Sequence, residues 1–175
     1  MNKQNKVSWR QREQKSIMWP LRPEREFIMN HSQLAHEYHM KGYNCSQSLL
    51  AAFSDVTGLS EAESLSVSGC FGRGAGSGEL CGVISGAIMV LGMLTPVDTN
   101  DPVNSKLRAV AQGREFLRRF SQRFGVVRCE VLLPMELTAD DRTPAAKELG
   151  ITDHCSILAA TAAEIVEEML RERQG

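Results

Sequence analysis

The sequence predicts an all-α, single-domain bundle of about five to six helices with a glycine-rich loop, occupying residues 30–175. Three observations carry that prediction. Val83–Leu94 is an almost unbroken apolar run of the length and kind that forms a buried helix. Asp101 and Pro102 give a cap followed by a first-turn proline, and Leu107, Val110, Leu117, Phe120 and Phe124 then recur at helical spacing. Near the C-terminus Cys155, Leu158, Ala159, Ala162, Ile165, Val166 and Met169 trace one apolar stripe.

The remaining elements follow from local signals. Asn30–Lys41 suits a short helix with Leu34 and Tyr38 on one face, closed by Gly42. Asn44 is a good cap for the next helix, CSQSLLAAFSDV. Ser60 and Glu63 fit a capping box for a third helix running to about Ser68. Five glycines between Gly69 and Gly78 then form a loop that can turn tightly or approach a ligand closely. Gly125 ends the helix that starts at Pro102, and Cys129 follows just beyond it. Thr143 and Pro144 begin a short helical piece that Gly150 stops, and the last helix starts at Thr152 or Asp153. Residues 1–29 show no sustained periodicity and read as a flexible N-terminal extension; docking of this basic arm on a partner is the alternative.

Bulk composition narrows the function. The chain has 175 residues, 42% of them apolar and 23% charged, as in an ordinary globular domain. A net charge of −1 gives no general reason to expect nucleic acid or an anionic membrane. The charge is uneven: residues 1–30 hold seven Lys/Arg against three Asp/Glu, leaving the rest net acidic. The N-terminus lacks the apolar core of a secretory signal, and Val83–Leu94 falls short of a membrane span of ~20 residues. A cytoplasmic location is therefore expected. Five cysteines in that setting stay reduced at rest, which favours metal or redox chemistry over a disulfide framework.

Three cysteines are expected in first helical turns: Cys45 behind Asn44, Cys81 ahead of the apolar run, and Cys155 in the last helix. Unpaired N–H groups and the positive end of the helix dipole favour a thiolate there. Three helix ends of this kind point to one convergent thiol site; the alternative is three core-filling cysteines. Other constellations are weaker. The loop at 72–78 lacks the Gly-Lys-Ser/Thr ending of a phosphate loop and has no GxGxxG register. His36 and His39 can share a helix face, and His154 can tune Cys155, but histidines of this kind are usually surface or satisfied residues. The acidic pair Asp140 and Asp141, and the arginines 108, 114, 118 and 119, read as solvated.

YNCSQSLL around Cys45, a glycine loop leading into CGVISGA at Cys81, Cys129 soon after Phe-Gly, and Cys155 opening the last helix resemble the C_GCAxxG_C_C family of small redox-active bacterial proteins. The resemblance runs from about residue 30 to 168. Its glycine motif is read as Cys81-Gly82-Val83-Ile84-Ser85-Gly86, with Val83 in place of alanine. It implies Cys45, Cys81, Cys129 and Cys155 as the functional set, with Cys70 extra and Gly82 and Gly86 giving close backbone approach to a cofactor. Two mechanisms follow. Four thiolates can hold an iron–sulfur cluster or, otherwise, zinc; alternatively, cysteine pairs cycle between dithiol and disulfide with a redox partner protein. A zinc-binding or thiol-sensing interaction module without enzymatic activity is the competing class. An anion-binding glycine loop, dependent on Gly74 or Gly76, is a third.

Overall fold

The computed structural model describes residues 30–173, and the expected extension at 1–29 lies outside the described residues. The helices are α1 (His31–Met40), α2 (Cys45–Ala52), α3 (Ser54–Thr57), α4 (Glu61–Val67), α5 (Gly82–Met93), α6 (Pro102–Phe124), α7 (Cys129–Leu132), α8 (Pro144–Glu148) and α9 (His154–Glu172). A 3-10 turn covers Gly69–Phe71. The described residues thus hold more helices than the five to six expected. Six α-helices have seven or more residues; α3, α7 and α8 are single turns in stretches too short for a periodic signal. Among the described residues there is no strand, only an isolated antiparallel bridge between Leu80 and Arg128.

Most boundaries sit where the capping chemistry puts them. Asn30, Asn44, Ser60, Asp101, Thr143 and Asp153 each accept a hydrogen bond from an amide two or three residues on. Asn44–Gln47 and Ser60–Glu63 form complete capping boxes. Gly42, Gly58, Gly125 and Gly150 take left-handed conformations past helix ends. The expected long helix after Asn44 breaks at Phe53, whose φ/ψ of −103°/20° separates α2 from α3.

Helix α9 is the hub. It packs on α1, α2, α5, α6 and α8, and Ser156 through Ala163 are buried without interruption. Its expected stripe is buried from Leu158 on, with Cys155 half-buried, but so is the rest of that half of the helix, because neighbours enclose it. The α1 face differs from expectation. His31, Ser32 and Ala35 are buried, while Leu34 and Tyr38 are half-buried. The Ser32 hydroxyl donates to the carbonyl of Ala160 at 3.0 Å, tying α1 to α9.

Helix α6 also corrects the periodic reading. Its buried residues are Ser105, Phe116, Phe120 and Phe124, and the three rings follow one another at centroid distances of 6.1 and 4.9 Å. Leu107 and Val110 are exposed, since the first half of α6 has little packed against that side. Of the arginines expected to be solvated, Arg108, Arg114 and Arg118 are exposed, and Arg119 is half-buried. Arg119 bonds Glu115 at 2.7 Å and Glu172 at 2.6 Å, and Arg118 also bonds Glu115. Asp141 organises its own loop by accepting from the Thr138 amide and hydroxyl.

Candidate functional site

Cys45 is the first residue of α2 and Cys155 the second residue of α9. The packing of these helices sets the Cys155 S–H beside Cys45 as a donor toward its sulfur. That bond lowers the Cys45 pKa to about 6, against the opposing effect of burial. His39 adds favourable charge, and the amides of Cys45 itself and Arg73 donate toward the same sulfur. The Cys155 thiol is pushed the other way, first by donating to Cys45 and then by burial and the nearby charge of Asp153. The pair therefore consists of one poised thiolate and one retained proton. Both residues are only partly buried.

Cys81 and Cys129 are buried, at 2% and 4% exposure. Their positions come from the bridge between Leu80 and Arg128: the Cys81 amide donates to Val127 at 2.9 Å and the Cys129 amide to Glu79 at 2.7 Å. Cys81 lies one residue earlier than expected, as the N-cap of α5 rather than inside its first turn. Burial pushes its thiol up to about 12, although the amides of Val83 and Ile84 pull the other way. Burial also raises Cys129, which begins the single turn of α7 rather than merely trailing α6. Cys45 acts electrostatically on Cys81, Cys129 and Cys155 alike, so the expected four converge about Cys45. Cys70 is exposed.

The glycine loop closes over this cluster. Arg73, Gly74, Ala75 and Gly76 run consecutively at positive φ, of 53°, 62°, 54° and 74°. A Cβ on Gly74 would lie 2.5 Å from the Glu79 amide nitrogen. One on Gly72 would lie 2.5 Å from the Asn44 side chain. The close approach at Gly72 brings the next amide, that of Arg73, to Cys45. Asn44 fixes the other side by donating to the Gly69 carbonyl at 2.8 Å. Gly82 and Gly86 serve helix packing. Added Cβ atoms would meet Cys45 Cβ at 3.1 Å and the Ser46 carbonyl oxygen at 2.9 Å, so α5 approaches α2 closely because both side chains are absent.

Histidines contribute at the edge. His39 Nε2 lies 3.4 Å from the Asp153 carboxylate, which also caps α9, so His39 stands beside the Cys45–Cys155 pair. His154 precedes Cys155, and its Nε2 is buried without a hydrogen-bond partner, as is Nδ1 of His36 and of His39. Among the described residues no three His, Cys, Asp or Glu side chains form a group that could hold one metal ion. Among the described residues, likewise, no helix is long and apolar enough to cross a membrane.

The fold and site define a small all-α domain in which four thiols gather at helix starts beneath a left-handed glycine loop. Residues 43–169 match the family model described as "Putative redox-active protein (C_GCAxxG_C_C)". The chain belongs to that family, and the family's description supports a redox role at that coarse level. No curated protein and no solved structure matches the chain. At Gly74 both the positive φ and the Glu79 backbone exclude a side chain.

Sequence reasoning missed Arg73. A signal was present in GRGAGSG, where Arg73 and Ala75 interrupt a glycine run and must share its left-handed backbone.

Proposed function

We propose that the protein carries out two-electron thiol–disulfide exchange, with Cys45 as the attacking thiolate and Cys155 as the resolving thiol. The observation that carries this reading is the apposition of two partly exposed thiols at the starts of α2 and α9, one shifted toward the thiolate and one away from it. A thiolate of pKa about 6 is mostly ionised at neutral pH yet remains a competent nucleophile.

The Cys45 thiolate attacks one sulfur of a substrate disulfide, forming a mixed disulfide and releasing the other half as a thiolate, which takes a proton. Cys155 gives up its proton and attacks the Cys45 sulfur. The mixed bond breaks, the second substrate thiol leaves, and a Cys45–Cys155 disulfide remains. Two electrons pass from the protein dithiol to the substrate; the reverse sequence oxidises a substrate dithiol. Proton loss from Cys155 becomes easier once Cys45 is no longer an anion, since the Cys45 charge is one of the causes holding that proton. Cys81 and Cys129 are buried, and burial together with the Cys45 charge raises both thiols, so they keep their protons beside it.

The test is peptide mapping after one equivalent of a mild oxidant, run alongside a visible spectrum and iron, sulfide and zinc analysis of protein purified without air. The expected result is a Cys45–Cys155 disulfide in colourless, metal-free protein. Iron and sulfide with visible bands, or one bound zinc lost on replacing any of the four cysteines, would overturn it in favour of a metal centre.

A further inference from the structure

Arg73 occupies an unusual place. It is a non-glycine residue at φ 53° and ψ 39° in a run where glycine bears that conformation without strain. The left-handed region costs an ordinary side chain about 1 kcal/mol, and such outliers concentrate at functional sites.

The residue is joined to the thiol site twice. Its backbone N–H donates toward Cys45, and its guanidinium acts on Cys129. Its side chain is exposed. The other charged groups around the thiols are engaged with one another. Arg128 bonds Glu79 at 3.0 Å and Glu130 at 2.6 Å. His39 faces Asp153, and Asp153 in turn caps α9. Arg73 makes no such pair among the described residues. The exposed rim of the site thus carries one unpaired guanidinium, anchored by its own backbone to the attacking sulfur.

We infer that Arg73 is the substrate-recognition residue of this site, and that it selects disulfides bearing a carboxylate near the exchanging sulfur. The inference rests on Cys45 being the attacking thiol. A guanidinium is suited to this task because its planar fork binds a carboxylate through two parallel N–H···O bonds. The Arg73 backbone lies at the sulfur, so a carboxylate bound by the side chain lies within an arginine's reach of Cys45. No new covalent step is required: the anionic disulfide is the co-reactant, and its two halves leave as thiols.

The test measures the rate of mixed-disulfide formation at Cys45, resolved by peptide mapping, with oxidised glutathione and with neutral 2-hydroxyethyl disulfide. The quantity read is the ratio of the two rates in each protein, compared between proteins, so that the intrinsic reactivities of the reagents cancel. Arg73→Gln is expected to lower the glutathione-to-neutral ratio about tenfold, the scale of a lost charge-assisted hydrogen bond. Arg73→Gly, which fits the left-handed backbone without strain, should lower it equally, and Arg73→Lys should fall between. Added salt should compress the wild-type ratio and leave that of Arg73→Gln nearly flat. If both rates change by a common factor in Arg73→Gln and Arg73→Gly, Arg73 only shapes the loop and the recognition role is overturned. If Cys45 exchanges with both reagents and the ratio is the same in all four proteins, recognition fails while the exchange reading stands. If Cys45 exchanges with neither, both fail.

Discussion

Two polar clusters share helix α9 and are built to opposite ends. At the start of α2 and α9 lie Cys45 and Cys155; at the far end lie Asp55, on α3, and Glu167, on α9, with His31 between them. Twelve residues of α9 separate Cys155 from Glu167, about 18 Å at helical rise. His31 is 1% exposed and stacks on Phe53 at 4.1 Å and 7°. Its Nδ1 bonds Glu167 at 2.7 Å and its Nε2 bonds Asp55 at 3.2 Å. Both ring nitrogens are engaged, each by a carboxylate, so the histidine has no capacity left to react. Cys45 is partly open, receives N–H and S–H donors and faces a thiol that can bond to it covalently. The comparison separates a group saturated for stability from one left unsaturated for chemistry.

The largest effect expected is at the thiol end. Cys45→Ser should abolish the intramolecular disulfide that mild oxidant forms. Cys155→Ala should also abolish it, leaving Cys45 trapped as a mixed disulfide that mass spectrometry detects. Because the bond from Cys155 is the leading cause of the low Cys45 pKa, Cys155→Ala should also move the midpoint of Cys45 alkylation upward from about 6. An unmoved midpoint would break the pairing.

At the histidine end, His31→Ala removes the ring stack and leaves two carboxylates without their partner. A loss of about 3 kcal/mol in urea unfolding is expected, the cost of breaking a buried ion pair from one side. The same cluster fixes a pH dependence. Burial by itself would lower the His31 pKa, but hydrogen bonds to Asp55 and Glu167 outweigh it and raise it to about 9 from 6.5. A raised pKa stabilises the fold in full below pH 6.5, and the contribution fades as pH climbs to 9. Its size is of order 3 kcal/mol. Wild type minus His31→Gln stability should follow that window; a flat difference would mean that the histidine is neutral in the fold.

Smaller effects sharpen the role of the loop. Gly74→Ala meets both a forbidden backbone and the Glu79 amide, whereas Gly76→Ala has the same kind of φ but nothing within 4 Å. The second should cost about 1 kcal/mol and the first clearly more. Only the first should raise the Cys45 alkylation midpoint, since it displaces the Arg73 amide. Cys70→Ser is expected to have the least effect on the yield of the Cys45–Cys155 disulfide, because Cys70 is exposed. A large fall in yield would make Cys70 a third member of the exchange chain.

Much of this is legible in the chain itself. Helix starts depend on a side-chain oxygen reaching an amide two or three residues away, so Asn44 with Gln47, Ser60 with Glu63, and Asp101 with Pro102 declare α2, α4 and α6 without reference to anything distant. The same locality puts Cys45 and Cys155 in first turns. Periodicity is weaker evidence, because it states which face is apolar and not whether another helix covers it. Leu107 and Val110 are therefore exposed against expectation, and the first half of α9 is enclosed beyond its stripe.

What tertiary structure alone decided is which thiol meets which. Sequence spacing leaves three pairings open; the packing of α2 against α9 sets Cys45 beside Cys155, and a bridge between residues 80 and 128 positions Cys81 and Cys129. It also decided that Arg73 adopts a glycine's backbone and that His31 sits between carboxylates 24 and 136 residues away. Caps and helix starts are short-range bonds that a sequence carries in full. Charge shifts and pairings arise between groups far apart in the chain, and only the folded arrangement sets their distances.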